Sequence, residues 1–179
     1  GNVNERRRMG QVDAKGQTVV DLFAGIGYFT VPLLATGGAK ELFACEWNPA
    51  SVEALRRNLE VNLVADRCTV LEGDNQLAGP ALEGKADRVL LGLLPSSEGA
   101  WELAVRCLKP LGGCLHVHEN VGEADMEGWK KKLQQQLLAH SKTAGRKWDV
   151  AIKHVEFVKT YAPRVWHVVV DVECTAAAQ

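Results

Sequence analysis

The sequence lacks any apolar stretch near the ~20 residues that a membrane span requires, so no membrane partner is predicted. It opens with no basic segment followed by an apolar one, and we therefore predict no secretory signal. Its five cysteines are odd in number and form no C-x-x-C pair. We expect reduced, buried thiols in a cytoplasmic protein rather than disulfides. The five histidines show no metal-ligand spacing, so no metal site is predicted.

The composition is that of a globular protein: 46% of the 179 residues are hydrophobic and 24% are charged. This length favours one domain, which we place at residues 2–174 of what we expect to be a longer chain. The net charge is −1, so RNA affinity would have to come from local basic runs such as residues 6–8 and 130–132. His116 and His118 share one face of a strand-like run, and we expect a core or edge placement for them rather than a catalytic role.

Apolar runs of strand length alternate with segments of helical period along most of the chain. In one such segment Asn48 can cap a helix on which Val52, Leu55 and Leu59 share one face. No helical segment separates the last two runs, which predicts an antiparallel hairpin after a mostly parallel sheet. This pattern favours an α/β fold of the Rossmann-like class I S-adenosylmethionine-dependent methyltransferase type. The predicted strands are residues 18–23, 41–46, 68–71, 88–91, 113–118, 150–158 and 165–174.

A glycine-rich turn follows the first predicted strand at residues 21–30, DLFAGIGYFT. Gly25 and Gly27 let the backbone turn tightly and approach a ligand, and the helix start beyond them favours an anionic group. The third glycine of a dinucleotide fingerprint is absent, since Thr30 stands near its place. A tight turn without a ligand is the alternative.

Acidic residues follow the next two predicted strands. Glu46 ends the second, where a carboxylate can accept both ribose hydroxyls of a nucleoside. Asp74 and Asn75 follow the third and could pair with an adenine edge. The alternatives are a helix-flanking carboxylate and an ordinary Gly-Asp-Asn turn.

The fourth predicted strand ends in GLLPSS, residues 92–97. Amino-methylating enzymes often carry Asn-Pro-Pro or Asp-Pro-Pro at this point, whereas here Gly92 has no side chain to hold an amine. We therefore expect a site that was not built for standard base N-methylation. A plain turn in which Ser97 caps the next helix is the alternative.

Five motifs together resemble the tRNA wybutosine-synthesising protein 2 family, which is related to the tRNA guanine-N1 methyltransferases. The resemblance implies transfer of the 3-amino-3-carboxypropyl group of S-adenosylmethionine to 4-demethylwyosine in tRNA(Phe), next to the anticodon. A guanine-N1 methyltransferase and a non-catalytic S-adenosylmethionine-binding domain are the alternatives. The motifs are VDLFAGIGYFT (20–30), ACEWNP (44–49), GDN (73–75), GLLPSS (92–97) and VKTYAP (158–163).

The resemblance also implies which residues hold S-adenosylmethionine as co-substrate: Arg6 binds it, Glu46 its ribose, and Asp74 and Asn75 its adenine end. It identifies no general base. Family members carry residues before Asn2, and we expect these to assist tRNA binding. The full implied cofactor-binding set is Arg6, Asp21, Ala24, Gly25, Gly27, Glu46, Asp74, Asn75 and Gly92.

Overall fold

A computed structural model describes residues 2–178 and contains one seven-stranded sheet covered by helices. The strands are β1 (Thr18–Asp21), β2 (Glu41–Glu46), β3 (Cys68–Glu72), β4 (Arg88–Leu91), β5 (Gly112–Gly122), β6 (Trp148–Ala162) and β7 (Val165–Ala176). The helices are α1 (Val3–Gln11), α2 (Thr30–Ala35), α3 (Pro49–Val61), α4 (Asn75–Ala78), α5 (Trp101–Cys107) and α6 (Met126–Thr143). Within the described part of the chain, no helix is both long and apolar enough to span a bilayer.

The strand order is β3-β2-β1-β4-β5-β7-β6. The first five strands in this order are parallel, and β7 pairs antiparallel with both β5 and β6. The order reverses between β1 and β4, which is where ligands bind in doubly wound sheets. The predicted parallel sheet with a closing antiparallel hairpin is therefore confirmed.

The strand predictions differ from the structure mainly in length. The first strand ends at Asp21 rather than at residue 23, because Leu22 and Phe23 already enter the glycine-rich turn. β5 extends to Gly122 because β7 pairs along its whole length.

An apolar core lies on each face of the sheet. Successive residues of a strand point to opposite faces, so they contribute to the two cores in turn. Val19 packs on the side of α1, α2 and α3, whereas Val20 packs on the side of α5 and α6. The predicted apolar stripe of α3, Val52, Leu55 and Leu59, is buried.

The N-terminal basic run forms α1, which the sequence did not predict as a helix. Arg8 joins this helix to β7, since its guanidinium donates to both carboxylate oxygens of Asp171 at 2.6 and 3.1 Å. It also donates to both oxygens of the buried Glu5 at 2.8 Å. Arg8 is thus a structural ion-pair residue, while its neighbours Arg6 and Arg7 face the surface groove beside α2.

Candidate cofactor-binding site

A cavity of about 780 Å³ opens at the carboxyl ends of the first four strands. Four of the predicted site residues, Glu46, Asp74, Asn75 and Gly92, line it. They come from the ends of three different strands, because parallel strands present their carboxyl ends at one edge of the sheet. The remaining lining consists of Leu22, Phe23, Cys45, Trp47, Gly73 and Leu93.

The glycine-rich turn borders this cavity, and its two glycines are required for different reasons. Gly25 has φ +57°, and a Cβ there would meet no heavy atom within 4 Å, so only the backbone conformation favours glycine. Gly27 has φ +96°, and a Cβ there would lie 2.8 Å from Leu55 Cδ1. Ala24 is buried and donates its N–H to the Cys45 carbonyl at 3.0 Å, which joins the turn to β2.

Glu46 is held in place by two backbone donors. Its Oε1 accepts the Gly25 N–H at 2.9 Å and its Oε2 accepts the Asn48 N–H at 2.8 Å. Each carboxylate oxygen can accept more than one hydrogen bond, so both keep capacity for a ligand hydroxyl. The carboxylate is therefore pre-oriented at the cavity edge, as binding of a ribose diol requires.

Asp21 lies under the glycine-rich turn and not on the cavity lining. It is buried and accepts hydrogen bonds from the Thr30 hydroxyl at 2.7 Å and the Phe23 N–H at 3.3 Å. Burial, with the nearby charge of Glu46, raises the pKa of Asp21 to about 6. The structure thus gives Asp21 a supporting position, since its hydrogen bonds connect the two ends of the turn.

Asp74 and Asn75 begin α4 at the opposite wall of the cavity. Asp74 Oδ1 caps the helix by accepting the Gln76 N–H at 2.9 Å. Asn75 Nδ2 donates to the Leu22 carbonyl at 2.9 Å, which fixes the amide across the end of β1. A carboxylate and an amide oxygen are both placed to receive donors from a nitrogen heterocycle.

Arg6 lies apart from this cavity. Its guanidinium is 5.6 Å from the centre of the Tyr28 ring, and it borders a separate groove of about 220 Å³ beside Gly27 and Asn58. The structure therefore brings Arg6 to the outer side of the glycine-rich turn and does not bring it to the lining that contains Glu46. Its cofactor contact stays a prediction.

Ser97 does not cap the helix that follows it, contrary to the alternative considered above. Its hydroxyl accepts the Trp101 indole N–H at 3.1 Å and donates to the His118 carbonyl at 3.4 Å. The hydroxyl is thus occupied in joining α5 to β5. His118 is buried, and so is His116, so of the predicted core or edge placements both histidines take the core one.

Trp47 and Phe23 are lining residues that sequence reasoning did not select. Trp47 follows Glu46 directly and is 72% exposed, which is unusual for a tryptophan. The signal available in the sequence was a large aromatic residue placed directly after an acidic strand end. Between residues 2 and 178 no three His, Cys, Asp or Glu side chains are close enough together to hold a metal ion.

Comparison with known proteins places this geometry in a family context. Residues 1–147 match the family described as the TRM5/TYW2 methyltransferase domain. The chain is 51% identical over 97% of its length to a tRNA wybutosine-synthesizing protein 2/3/4 of Arabidopsis thaliana, and 44% identical over 97% of its length to a tRNA wybutosine-synthesizing protein 2 homolog of Danio rerio. It spans 17% and 50%, respectively, of these relatives.

Two solved structures resemble the chain over 98% of its length, each at a TM-score of 0.87 and 32% identity. One is M. jannaschii TYW2 in complex with AdoMet, of which the chain covers 76%. The other is P. horikoshii TYW2 in complex with MeSAdo, of which it covers 63%.

Proposed function

We propose that this chain, which belongs to the TRM5/TYW2 methyltransferase domain family, is the catalytic domain of a tRNA aminocarboxypropyltransferase. It moves the 3-amino-3-carboxypropyl group of S-adenosylmethionine to 4-demethylwyosine in tRNA(Phe), beside the anticodon, during wybutosine synthesis. The observation that carries the proposal is the cavity: nucleoside-binding groups line it, and at Gly92 it has no side chain that could hold an amine. Relatives named for wybutosine synthesis support it over 97% of the chain.

The residues on the cavity wall fit S-adenosylmethionine as co-substrate. Glu46, oriented by two backbone donors, accepts the ribose hydroxyls. Asp74 and Asn75 receive the adenine end, and the Trp47 ring at the rim offers a flat apolar surface to the base. Relatives solved with AdoMet and with MeSAdo support this assignment.

The remaining predicted contacts divide into two kinds. Gly25 lets the backbone approach the ligand, whereas Asp21, Ala24 and Gly27 support the turn from below. Arg6 borders the same turn from outside, and we propose that it contributes a positive charge there rather than a ring contact.

The chemistry depends on which carbon of the sulfonium faces the acceptor. A sulfonium activates all three attached carbons, so orientation selects the transferred group. At Gly92 the wall of the cavity carries no polar side chain, and the acceptor base can lie flat against the strand end. Such a wall favours an aromatic carbon as acceptor over an amine that needs a hydrogen-bond partner.

The test is mass spectrometry of the small-molecule products formed by the full-length protein with S-adenosylmethionine and tRNA carrying 4-demethylwyosine. Methylthioadenosine that depends on this tRNA is the expected result. S-adenosylhomocysteine as the sole by-product would instead identify a guanine-N1 methyltransferase, the second candidate, which the shared family supports. Cofactor binding without any product would favour the non-catalytic alternative.

Three further properties belong to the same proposal. The acceptor is tRNA(Phe), because 4-demethylwyosine is the base that the resemblance implies. The protein acts in the cytoplasm, which its five free cysteines support. Residues 2–174 act as one catalytic domain. The support is that all seven strands belong to a single sheet, whose last strand ends at Ala176.

A further inference from the structure

Two buried histidines, His118 in the middle of β5 and His167 near the start of β7, each have a ring nitrogen without a hydrogen-bond partner among residues 2–178. His118 Nδ1 lies 2.9 Å from His167 Nε2, so these two rings share one hydrogen bond. The other nitrogens, His118 Nε2 and His167 Nδ1, are shielded and have no hydrogen-bond partner among residues 2–178. Buried polar atoms are nearly always paired, so these two nitrogens retain hydrogen-bonding capacity that the described residues do not use.

The His118 ring lies directly behind Gly92. β4 and β5 are parallel with Leu91 opposite Val117, so the following residues, Gly92 and His118, are also neighbours. A Cβ on Gly92 would lie 4.0 Å from His118 Nε2 and 3.6 Å from the Phe29 ring. Any longer side chain at position 92 would occupy the space between the cavity and this nitrogen.

Further polar groups share this region. Asn120 lies two residues beyond His118 on the same strand, and therefore on the same face of the sheet, opposite His167 of β7. Its buried Oδ1 also has no partner in the described chain. The Phe29 ring packs against His118, with ring centroids 5.3 Å apart.

His118 carries no charge near neutral pH. Burial, with the neighbouring positive groups, lowers the pKa of His118 to about 3. A neutral imidazole that donates from Nδ1 to His167 presents a lone pair at Nε2. In that tautomer His167 accepts at Nε2 and carries its own proton on Nδ1.

We propose that His118 is a catalytic residue of the transfer: its Nε2 contacts the acceptor base beside Gly92 and receives the proton that the acceptor carbon loses. His167 is a positioning residue that holds the imidazole in the required tautomer. This inference rests on the proposed function, because the proton that His118 receives is the one bound to the acceptor carbon.

The step balances without a further reactant. A bond forms between the ring carbon and the transferred carbon, the carbon–sulfur bond breaks, and its electron pair leaves with the neutral thioether. The ring carbon is then tetrahedral, holding its original hydrogen and the new substituent, and the ring carries the positive charge that the sulfonium has lost. The hydrogen leaves as a proton to Nε2 while the C–H electron pair restores the aromatic ring. A weak base suffices, because a protonated ring carbon is a far stronger acid than an imidazolium.

The test compares His118→Gln with His154→Gln in the full-length protein, using single-turnover transfer to tRNA labelled with hydrogen or deuterium at the acceptor carbon. His154 is an exposed histidine of β6 bonded to Glu156, and its substitution is the matched control. We expect His118→Gln to slow transfer by roughly 10²–10⁴-fold. The variant should also show a primary deuterium isotope effect that the wild type lacks, because proton removal becomes rate-limiting. His167→Gln should show the same isotope effect with a smaller loss of rate.

A second measurement needs no variant. The measurement is nitrogen NMR of protein with labelled histidines. Adding S-adenosylhomocysteine and an anticodon stem-loop that carries the acceptor base should shift the His118 Nε2 resonance. An unmoved resonance, or a His118→Gln variant that keeps the wild-type rate, would overturn the inference while leaving methylthioadenosine formation intact. Release of S-adenosylhomocysteine by the wild type would instead refute the proposed function, and this inference with it.

Discussion

Replacing Glu46 with alanine should weaken S-adenosylmethionine binding without unfolding the protein. The carboxylate lines the cavity, and its oxygens accept the Gly25 and Asn48 N–H groups at 2.9 and 2.8 Å. Its substitution removes the ribose acceptor and also one link between the glycine-rich turn and β2. The other link, from the Ala24 N–H to the Cys45 carbonyl, remains, so the turn should keep its shape.

The expected size follows from the hydrogen bonds that are lost. Charge-assisted hydrogen bonds contribute about 1.5–3 kcal/mol each. Taking the loss as about 1–3 kcal/mol, the dissociation constant should rise by roughly 5–150-fold. Glu46→Gln should fall in the lower part of this range, since the amide retains one acceptor oxygen.

The assay is isothermal titration calorimetry with S-adenosylmethionine, with thermal unfolding measured in parallel. Glu72→Ala is the matched control: Glu72 ends the neighbouring strand opposite Glu46, is exposed and does not line the cavity. It removes the same charge, so it separates long-range electrostatics from direct contact. Equal affinities for wild type and Glu46→Ala would refute the ribose assignment. Equal losses of affinity in Glu46→Ala and Glu72→Ala would show that the lost negative charge, rather than a direct contact with the ribose, weakens binding.

Three further predictions concern the supporting structure. Gly27→Ala should lower the free energy of unfolding, measured by chemical denaturation, by about 1–3 kcal/mol, because the φ of Gly27 is +96°. Gly128 is exposed on α6, and Gly128→Ala should instead raise the free energy of unfolding by up to about 1 kcal/mol. The free energy of unfolding of the wild type should rise as pH falls from about 6 to 4. The raised pKa of Asp21 means that the folded protein binds a proton in this range before the unfolded chain does. The Asp21→Asn variant should lack this gain. Asp171→Asn should lower the free energy of unfolding by about 1–3 kcal/mol. The loss stays this small because Arg8 keeps its ion pair with the carboxylate of Glu5. Hydrogen bonds outweigh burial and lower the pKa of Asp171 in the folded protein, so its carboxylate stabilises the fold only where the unfolded chain is also ionised. In denaturation curves the difference between wild type and variant should therefore shrink as pH falls below about 4.

Sequence patterns predicted the parts of the fold that local rules determine. β2 and β4 have the bounds expected from their apolar runs, and Asn48 caps α3 with its side chain as predicted. The lengths of β5 and β6 could not be predicted, because pairing with β7 extends both beyond their apolar centres. Helix α1 was missed since its average hydropathy is low and a buried ion pair, not an apolar stripe, attaches it.

Within the candidate site, sequence reasoning located the strand ends but could not separate ligand contacts from supports. Asp21 and Glu46 are both acidic strand ends, yet one is buried under the turn and the other lines the cavity. The difference depends on where each strand stops relative to the turn, which no single-residue pattern contains. Arg6 illustrates the same limit, because its position is set by the attachment of α1 to β7 through Arg8.

Gly92 shows how the absence of one side chain can change what the rest of a site is able to do. With an asparagine at this position, the amide would lie between the cavity and His118, and the buried histidines could act only as core residues. With glycine, His118 Nε2 is the polar atom that lies closest to the Cβ position of residue 92. A Gly92→Asn variant should therefore lose carbon transfer while keeping S-adenosylmethionine affinity, because Glu46 and Asp74 lie at other strand ends. If the variant transferred the aminocarboxypropyl group at the wild-type rate, the acceptor would have to lie elsewhere along the cavity.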